Sequence, residues 1–394
     1  MLDIAKDGLR HNRFTGAMHM AYLLTSRSKL TAPDLIDTGS WSMRNLKVVF
    51  YARLYAPLQL QAELGRSLSH CILGLVVLLL GGWTLFFQLG EGSLNDWDEA
   101  TYAEIAREMV TRGDWITPYW NGAPFHDKPP LVMWFMAAGM TIIKSPELAA
   151  RLPSAIAGLF AIATTILLGR VLFCLWTGLT AAVLLLVSSK SWWVNFVMLA
   201  RQGMLDVPLT GFTIWAFLHL YRGIQRPQHW LLMGLPLGLA MLTKSFLTLP
   251  IVLTIVIFVI VLVLQGQPFS RMHWRYAAGC VTLALTVSLP WHLVQVVQHG
   301  NDFFDGYVLI HFMKTQRPEA GNLGAKSFYL IAIGQALPYL AWLGVPAIAF
   351  AVWRILRFRD NRALLLAVWI AVPLLLLRQF QPNYLGMLFP FSQR

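Results

Sequence analysis

Beyond residue 67 the chain is dominated by long, nearly uninterrupted apolar runs joined by short polar connections. A helix rises about 1.5 Å per residue, so roughly 18 or more apolar residues are long enough to cross a bilayer core. Runs of this kind fall at 71–90, 148–173, 175–193, 204–222, 229–243, 246–264, 275–297, 328–353 and 363–378. The arm 229–243 is short, and with 246–264 it reads as a tight hairpin. A tenth run begins near Tyr384 but stops at Arg394, too soon to cross. The pattern predicts an all-α fold, a polytopic transmembrane helix bundle over 67–394, with its C-terminus expected to be truncated. Residues 1–66 hold no long apolar run and are expected to form a weakly ordered cytoplasmic extension.

One segment breaks the apolar pattern. EGSLNDWDEATYAEIAREMVTRGDWITPYWNGAPFHDKPP, residues 91–130, carries eight of the chain's nineteen acidic residues. No hydrocarbon could solvate it, so it is expected at a membrane surface. Within it, residues 98–112 read as a helix of about four turns with Tyr102, Ile105, Ala106, Met109 and Val110 on one stripe. Glu104, Arg107, Glu108 and Thr111 lie largely opposite. Gly113 is the expected stop, and Asp96 or Asn95 the expected cap. Residues 131–143 are apolar but too short to cross, which suits a second helix lying at the interface. Trp115, Tyr119 and Trp120 fit an aromatic belt.

Composition narrows the class. The chain is 57% hydrophobic and 13% charged, with a mean hydropathy of +0.56. Soluble domains carry about 25% charged residues. The formal net charge of +12 could suggest nucleic acid, but the placement of the basic residues supplies a simpler cause. Nine Lys and Arg precede residue 67, and others recur at Arg222, Arg226, Arg271, Arg275, Arg354, Arg357, Arg359 and Arg362. This is the positive-inside pattern. It predicts a multi-pass protein with a cytoplasmic N-terminus, an extracytoplasmic 91–147 loop, and no nucleic-acid partner. Cys71, Cys174 and Cys280 lack metal or redox spacing.

The chemistry-bearing residues cluster in the polar loops. Asp98 and Glu99 open the predicted helix. Paired carboxylates can share a proton, bind a cation or act as base and orienter, whereas helix N-termini also favour acids through the macrodipole. His126, Asp127 and Lys128 stand before Pro129 and Pro130, which fix the backbone there. That places an acid, a base and a cation side by side, or forms a plain turn. Asp206 is the only acid between Glu147 and Asp302 and calls for a partner such as Arg201 or Lys244. It reads first as a structural ion pair and second as a substrate contact. Lys244 could bind phosphate or snorkel to water.

In this order, DEATYAEIAREM, DWITP, NG and DKPPL, followed by ELAARLPSAIAGL, resemble the membrane glycosyltransferases of the GT-C fold. The similarity is to the branch of bacterial aminoarabinose transferases and protein O-mannosyltransferase-like enzymes. It spans roughly residues 70–390 and is most specific over 97–173. It implies transfer of a sugar from a polyprenyl-phosphate carrier to a hydroxyl of a glycolipid, lipid A, polysaccharide or protein at the outer membrane face. By the same resemblance Asp98 is the base, and Glu99 orients it or binds acceptor. Lys128 contacts the lipid phosphate, while Asp127 and His311 hold a divalent metal ion. Arg317 is the nearest match to a phosphate-binding arginine, with Lys314 as competitor, and Tyr384 matches a tyrosine that faces the site. Relatives show Lys-Gly where this chain has Lys244-Ser245. No Gly-rich nucleotide loop is present, so no nucleotide cofactor is expected.

Two other readings compete. A polyprenyl-lipid transporter or flippase would place charges midway along broken spans and show related halves. Here the charges gather at one face and no halves are detected. A catalytically inactive, truncated relative is the other, pointed to by Ser245, Asp127 and a longer spacing from His311 to Arg317 than the family shows.

Overall fold

The computed structural model describes residues 68–187, 195–309 and 338–377. The features below lie in the compact unit Gly74–Arg394, apart from the first residues of the helix that begins at Leu68. The described part of this unit is almost wholly helical, as the apolar runs predict. The strands among the described residues are Tyr119–Trp120 (β1) and Ala123–Pro124 (β2), an antiparallel pair in which Tyr119 faces Pro124.

Helix α1 is Leu68–Phe86, followed by α2, Asp98–Arg112, and α3, Leu131–Ile142. Helices α4, Pro146–Leu172, and α5, Leu175–Val187, come next. The short α6, Phe196–Arg201, leads into α7, Asp206–Gly223, and α8, Gln228–Leu232. Two long helices follow: α9, Gly234–Leu264, and α10, Arg271–Phe304, the latter continuing into a π-helical turn at Asp305–Leu309. Helices α11, Pro338–Phe358, and α12, Asn361–Leu377, complete the described part.

Among the described residues, four stretches are long and apolar enough to cross a membrane: Leu68–Phe86, Pro146–Leu172, Gln228–Leu264 and Arg271–Leu309. Leu75, Leu79 and Trp83 of α1 are 56%, 62% and 66% exposed, a surface that water would not tolerate and lipid tails would cover. The protein is an integral membrane protein.

The predicted hairpin appears in an economical form. Residues 234–264 run as one helix apart from Lys244, whose backbone at φ −149°, ψ 86° is extended. A straight helix through 228–264 would be about 55 Å long. Yet the rings of Trp230 near its start and Phe269 beyond its end lie 5.1 Å apart. The chain therefore folds back at Lys244, with no loop. Gly223 permits the base of this hairpin, since a Cβ there would collide with the Trp230 ring. The Trp230 indole donates to the Leu220 carbonyl at 3.1 Å.

The main core lies between α4, α7, the α9 hairpin and α12, where Leu168, Phe217, Leu220, Phe258, Leu262 and Leu365 are buried. A second core joins α2 to α3 through Tyr102, Ile105, Met109, Met133 and Met136. Helix α2 matches its predicted bounds and ends at Gly113 with φ 70°, the left-handed stop that glycine permits. Two expectations there are corrected. Neither Asp96 nor Asn95 is the cap residue; that place is taken by Trp97 at φ 76°, with no side-chain cap bond. Glu108, expected on the outer face, is buried, because Arg112 pairs with it at 2.8 Å and the Gly122 amide donates to it at 3.1 Å.

Candidate active site

The site forms where the start of α2, the turn before α3, the start of α7 and the break in α9 come together. Asp98 opens α2 and is exposed. One turn on, Tyr102 is 2% exposed, and its phenol lies close to Asp98. Burial, then the charges of Asp98, Asp206 and Asp127, hold this phenol far above its ordinary range. A proton on Tyr102 is thus kept in place first by burial and then by three carboxylates that act on it.

Two lysines offset those carboxylates. Lys128 Nζ lies 2.9 Å from Asp127 Oδ2, with both side chains partly buried. Lys244 Nζ donates to both oxygens of Asp206 at 2.8 Å each. The break in α9 turns Lys244 toward the first residue of α7, and Asp206 is stabilised there by the helix N-terminus as well. Of the two partners the sequence allowed for Asp206, the structure selects Lys244. Arg201 instead caps the end of α1, donating to the carbonyls of Thr84 at 2.9 Å and Phe87 at 2.8 Å.

The resemblance implied that Glu99 either orients Asp98 or binds acceptor, and its surroundings speak against the second role. Glu99 is 1% exposed. Arg151 Nε at 2.8 Å and the Gly203 amide at 3.2 Å donate to Oε1. The Asn95 amide at 2.7 Å and its Nδ2 at 2.8 Å donate to Oε2. A carboxylate has about four lone-pair sites, and all are filled, so Glu99 has none left for an acceptor hydroxyl. Arg151 spreads its other donors over the carbonyls of Leu89, Glu91 and Ser93 at 3.1, 2.7 and 2.7 Å. This buried pair ties the end of α1, the start of α2 and the turn before α7 together around Asp98.

Behind Asp127, the His126 ring sits 4.9 Å from that of His299 and 5.4 Å from that of Phe303. Burial and the His299 charge push His126 below its usual range, against a weaker opposing pull from Asp302. Thr117 bonds Gln298 at 3.1 Å and His299 at 3.2 Å. The Trp291 indole donates to the Ile116 carbonyl at 2.8 Å, which fastens the DWITP turn to α10.

His311, Arg317 with its competitor Lys314, and Tyr384 lie outside the described residues. Among the described residues no group of three or more His, Cys, Asp or Glu side chains could hold a metal ion. Asp127 there faces an ammonium, so the described donor set does not by itself fit a divalent ion.

Sequence reasoning placed Tyr102 on an apolar stripe and did not single out Arg151. A lone arginine among the first turns of an apolar helix was the available signal, because such a charge needs a buried partner.

The helical architecture and the polar site define a membrane protein of the GT-C fold class. Residues 127–292 match the family described as dolichyl-phosphate-mannose-protein mannosyltransferase. Over 295 residues the chain is 30% identical to the undecaprenyl phosphate-alpha-4-amino-4-deoxy-L-arabinose arabinosyl transferase 1 of Sodalis glossinidius, covering 71% of this chain and 49% of that protein. It is 28% identical over 314 residues to the corresponding transferase of Pseudomonas aeruginosa strain LESB58, covering 75% of this chain and 54% of the other. The chain thus spans about half the length of the curated relatives it matches. Among solved structures it resembles ArnT of Cupriavidus metallidurans bound to undecaprenyl phosphate, with a TM-score of 0.59, 24% identity, and coverage of 80% and 56%. An Archaeoglobus fulgidus oligosaccharyltransferase shares the fold at a TM-score of 0.57, 13% identity, and coverage of 80% and 48%. The chain is thus similar in sequence to the aminoarabinose transferases, and over residues 127–292 to the protein mannosyltransferase family.

Proposed function

We propose that this protein transfers a glycosyl group from a polyprenyl-phosphate carrier to a hydroxyl-bearing acceptor at the extracytoplasmic face of the membrane. The observation that carries the reading is the exposed Asp98 carboxylate, with the Lys128 and Lys244 ammonium groups set among the acids beside it. The curated relatives are named for a lipid-linked aminoarabinose donor, which makes that lipid the first to test.

In this reading Asp98 accepts the proton of the acceptor hydroxyl as its oxygen attacks the anomeric carbon. The bond from that carbon to the phosphate oxygen breaks, and the leaving group is the polyprenyl phosphate. A phosphate that gains charge in the transition state is stabilised by a fixed cation nearby. Lys128 is assigned to that task, with Lys244 as a second cation and Arg317 or Lys314 completing the set. Tyr102 fixes the Asp98 carboxylate, and Glu99 with Arg151 holds the helix start beneath it. Asp206 holds Lys244. The N-terminus and the basic connections lie on the cytoplasmic side in this arrangement. A divalent ion on Asp127 and His311 is the one additional group the reading allows. Elemental analysis of the purified protein tests it, and a metal-free, fully active protein rules it out.

Deleting the gene and comparing lipids and glycans with the parent strain tests the reading as a whole. Loss of one sugar modification, with its lipid-linked donor accumulating, is the expected result. Unchanged glycolipids and glycans would contradict it.

A further inference from the structure

The break at Lys244 has a second side. Directly after it, the Ser245 hydroxyl donates to the Met241 carbonyl at 2.6 Å, the oxygen that the N–H of residue 245 serves in a regular helix. The same Ser245 Oγ accepts a hydrogen bond from the Tyr307 hydroxyl and lies 3.2 Å from His292 Nε2. His292 Nε2 is also 2.8 Å from the Tyr307 hydroxyl. Three side chains from α9, α10 and the π-helical turn thus close into one ring of polar atoms.

The proton positions in this ring follow from its partners. His292 Nδ1 lies 2.8 Å from the Ser288 carbonyl oxygen, which can only accept, so Nδ1 carries a proton. In the neutral ring Nε2 is then an acceptor. Tyr307 and Ser245 each bring one hydroxyl proton. The Ser245 proton goes to Met241, which leaves the Tyr307 proton for Nε2 and for Ser245 Oγ. The ring is satisfied with no charge, and it stays so only while all three residues are present. Apolar walls close around it: Tyr307 is 6% exposed and stacks on Phe303 at 4.8 Å, with Phe246 at 5.7 Å.

We propose that Ser245, Tyr307 and His292 are positioning residues whose hydrogen-bonded ring fixes the break in α9, and through it the aim of Lys244 at the phosphate of a lipid-linked ligand. The inference rests on the lipid-donor reading above and adds residues that reading does not use. One extended residue between two helical arms has little to hold its shape, because the ladder bonds that rigidify a helix are interrupted there. The ring supplies that hold from outside the helix, one residue from Lys244. Asp206 holds the other end of the lysine, so its ammonium is fixed from both directions. Glycine at 245, which the resemblance leads one to expect, has no hydroxyl and could not join the ring.

A double-mutant cycle on undecaprenyl phosphate binding tests this, with the detergent-purified full chain and the radiolabelled lipid in a scintillation proximity assay. Lys244→Ala should weaken binding about tenfold, and Tyr307→Phe about three- to tenfold, the range expected for loss of one well-made hydrogen bond. In the Lys244→Ala background Tyr307→Phe should change nothing, because its effect runs through the lysine. Ser245→Gly is the second variant, should Tyr307→Phe fold poorly, and the same non-additivity is expected of it. Equal effects of Tyr307→Phe with and without Lys244 would overturn the proposal and leave the ring as plain packing. A Lys244→Ala protein that binds the lipid as well as wild type would instead remove the assignment of Lys244 on which the proposal stands. Competition by inorganic phosphate at concentrations matching the lipid would show a free-anion site, and that too overturns the lipid assignment.

Discussion

Asp98 and Glu99 are sequence neighbours, and their surroundings divide the work between them. The first is exposed beside a buried phenol, while the second is closed in by four donors. Lys128 belongs with Asp98, since it is a partly buried cation paired with Asp127. Lys128→Ala should raise the donor KM about tenfold or more and leave the acceptor KM near wild type, as steady-state kinetics with each substrate varied will show. Neighbouring His126 adds a pH dependence. A histidine held below its usual range binds fewer protons when folded than when unfolded, so stability rises with pH across the interval between the two. Stability should therefore be complete above about pH 6.5 and fall as acid is added below it. Thermal melts from pH 7.5 to 5 should show that acid limb in wild type and a flatter one in His126→Asn. At this scale the sequence made Asp98, Asp127 and Lys128 legible, because polar residues inside an apolar chain stand out. It did not separate Glu99 from Asp98, because the difference is made by Arg151, fifty-two residues away.

Among the elements, α2 was the most legible, since both its period and its glycine stop are local signals. The hairpin at Lys244 was legible as two arms but not as a turn of one residue. Its closure depends on Asp206, Ser245 and the Trp230 seat, which are contacts across the fold. The bolt between Glu99 and Arg151 is an element-scale device, because it joins α4 to the start of α2 and to the turns on either side. Removing one member leaves the other as an uncompensated buried charge, at a cost of about 3–5 kcal/mol. Arg151→Met should therefore lower the melting temperature clearly, whereas Arg107→Met, whose pair with Glu104 is exposed, should barely move it.

For the whole molecule, the apolar runs made a polytopic membrane bundle legible from the start, and the described helices bear it out. The charge pattern adds a direction. In the proposed arrangement, with basic connections inside, Asp96 would lie outside and Gln225, just past the end of α7, inside. A membrane-impermeant maleimide should label Asp96→Cys in intact cells and Gln225→Cys only after lysis. The opposite pattern would invert the assignment of faces.

All of these features meet in the proposed activity, so the most direct test is transfer itself. Purified wild-type protein and Asp98→Asn should be incubated with labelled undecaprenyl-phosphate-linked aminoarabinose, then with other lipid-linked sugars, and a lipid A or envelope-glycan acceptor. The account predicts label moving to the acceptor with wild type, and a fall of at least about 100-fold in Asp98→Asn, the scale on which a general base contributes, while that variant still binds undecaprenyl phosphate. Transfer by Asp98→Asn at the wild-type rate would contradict it.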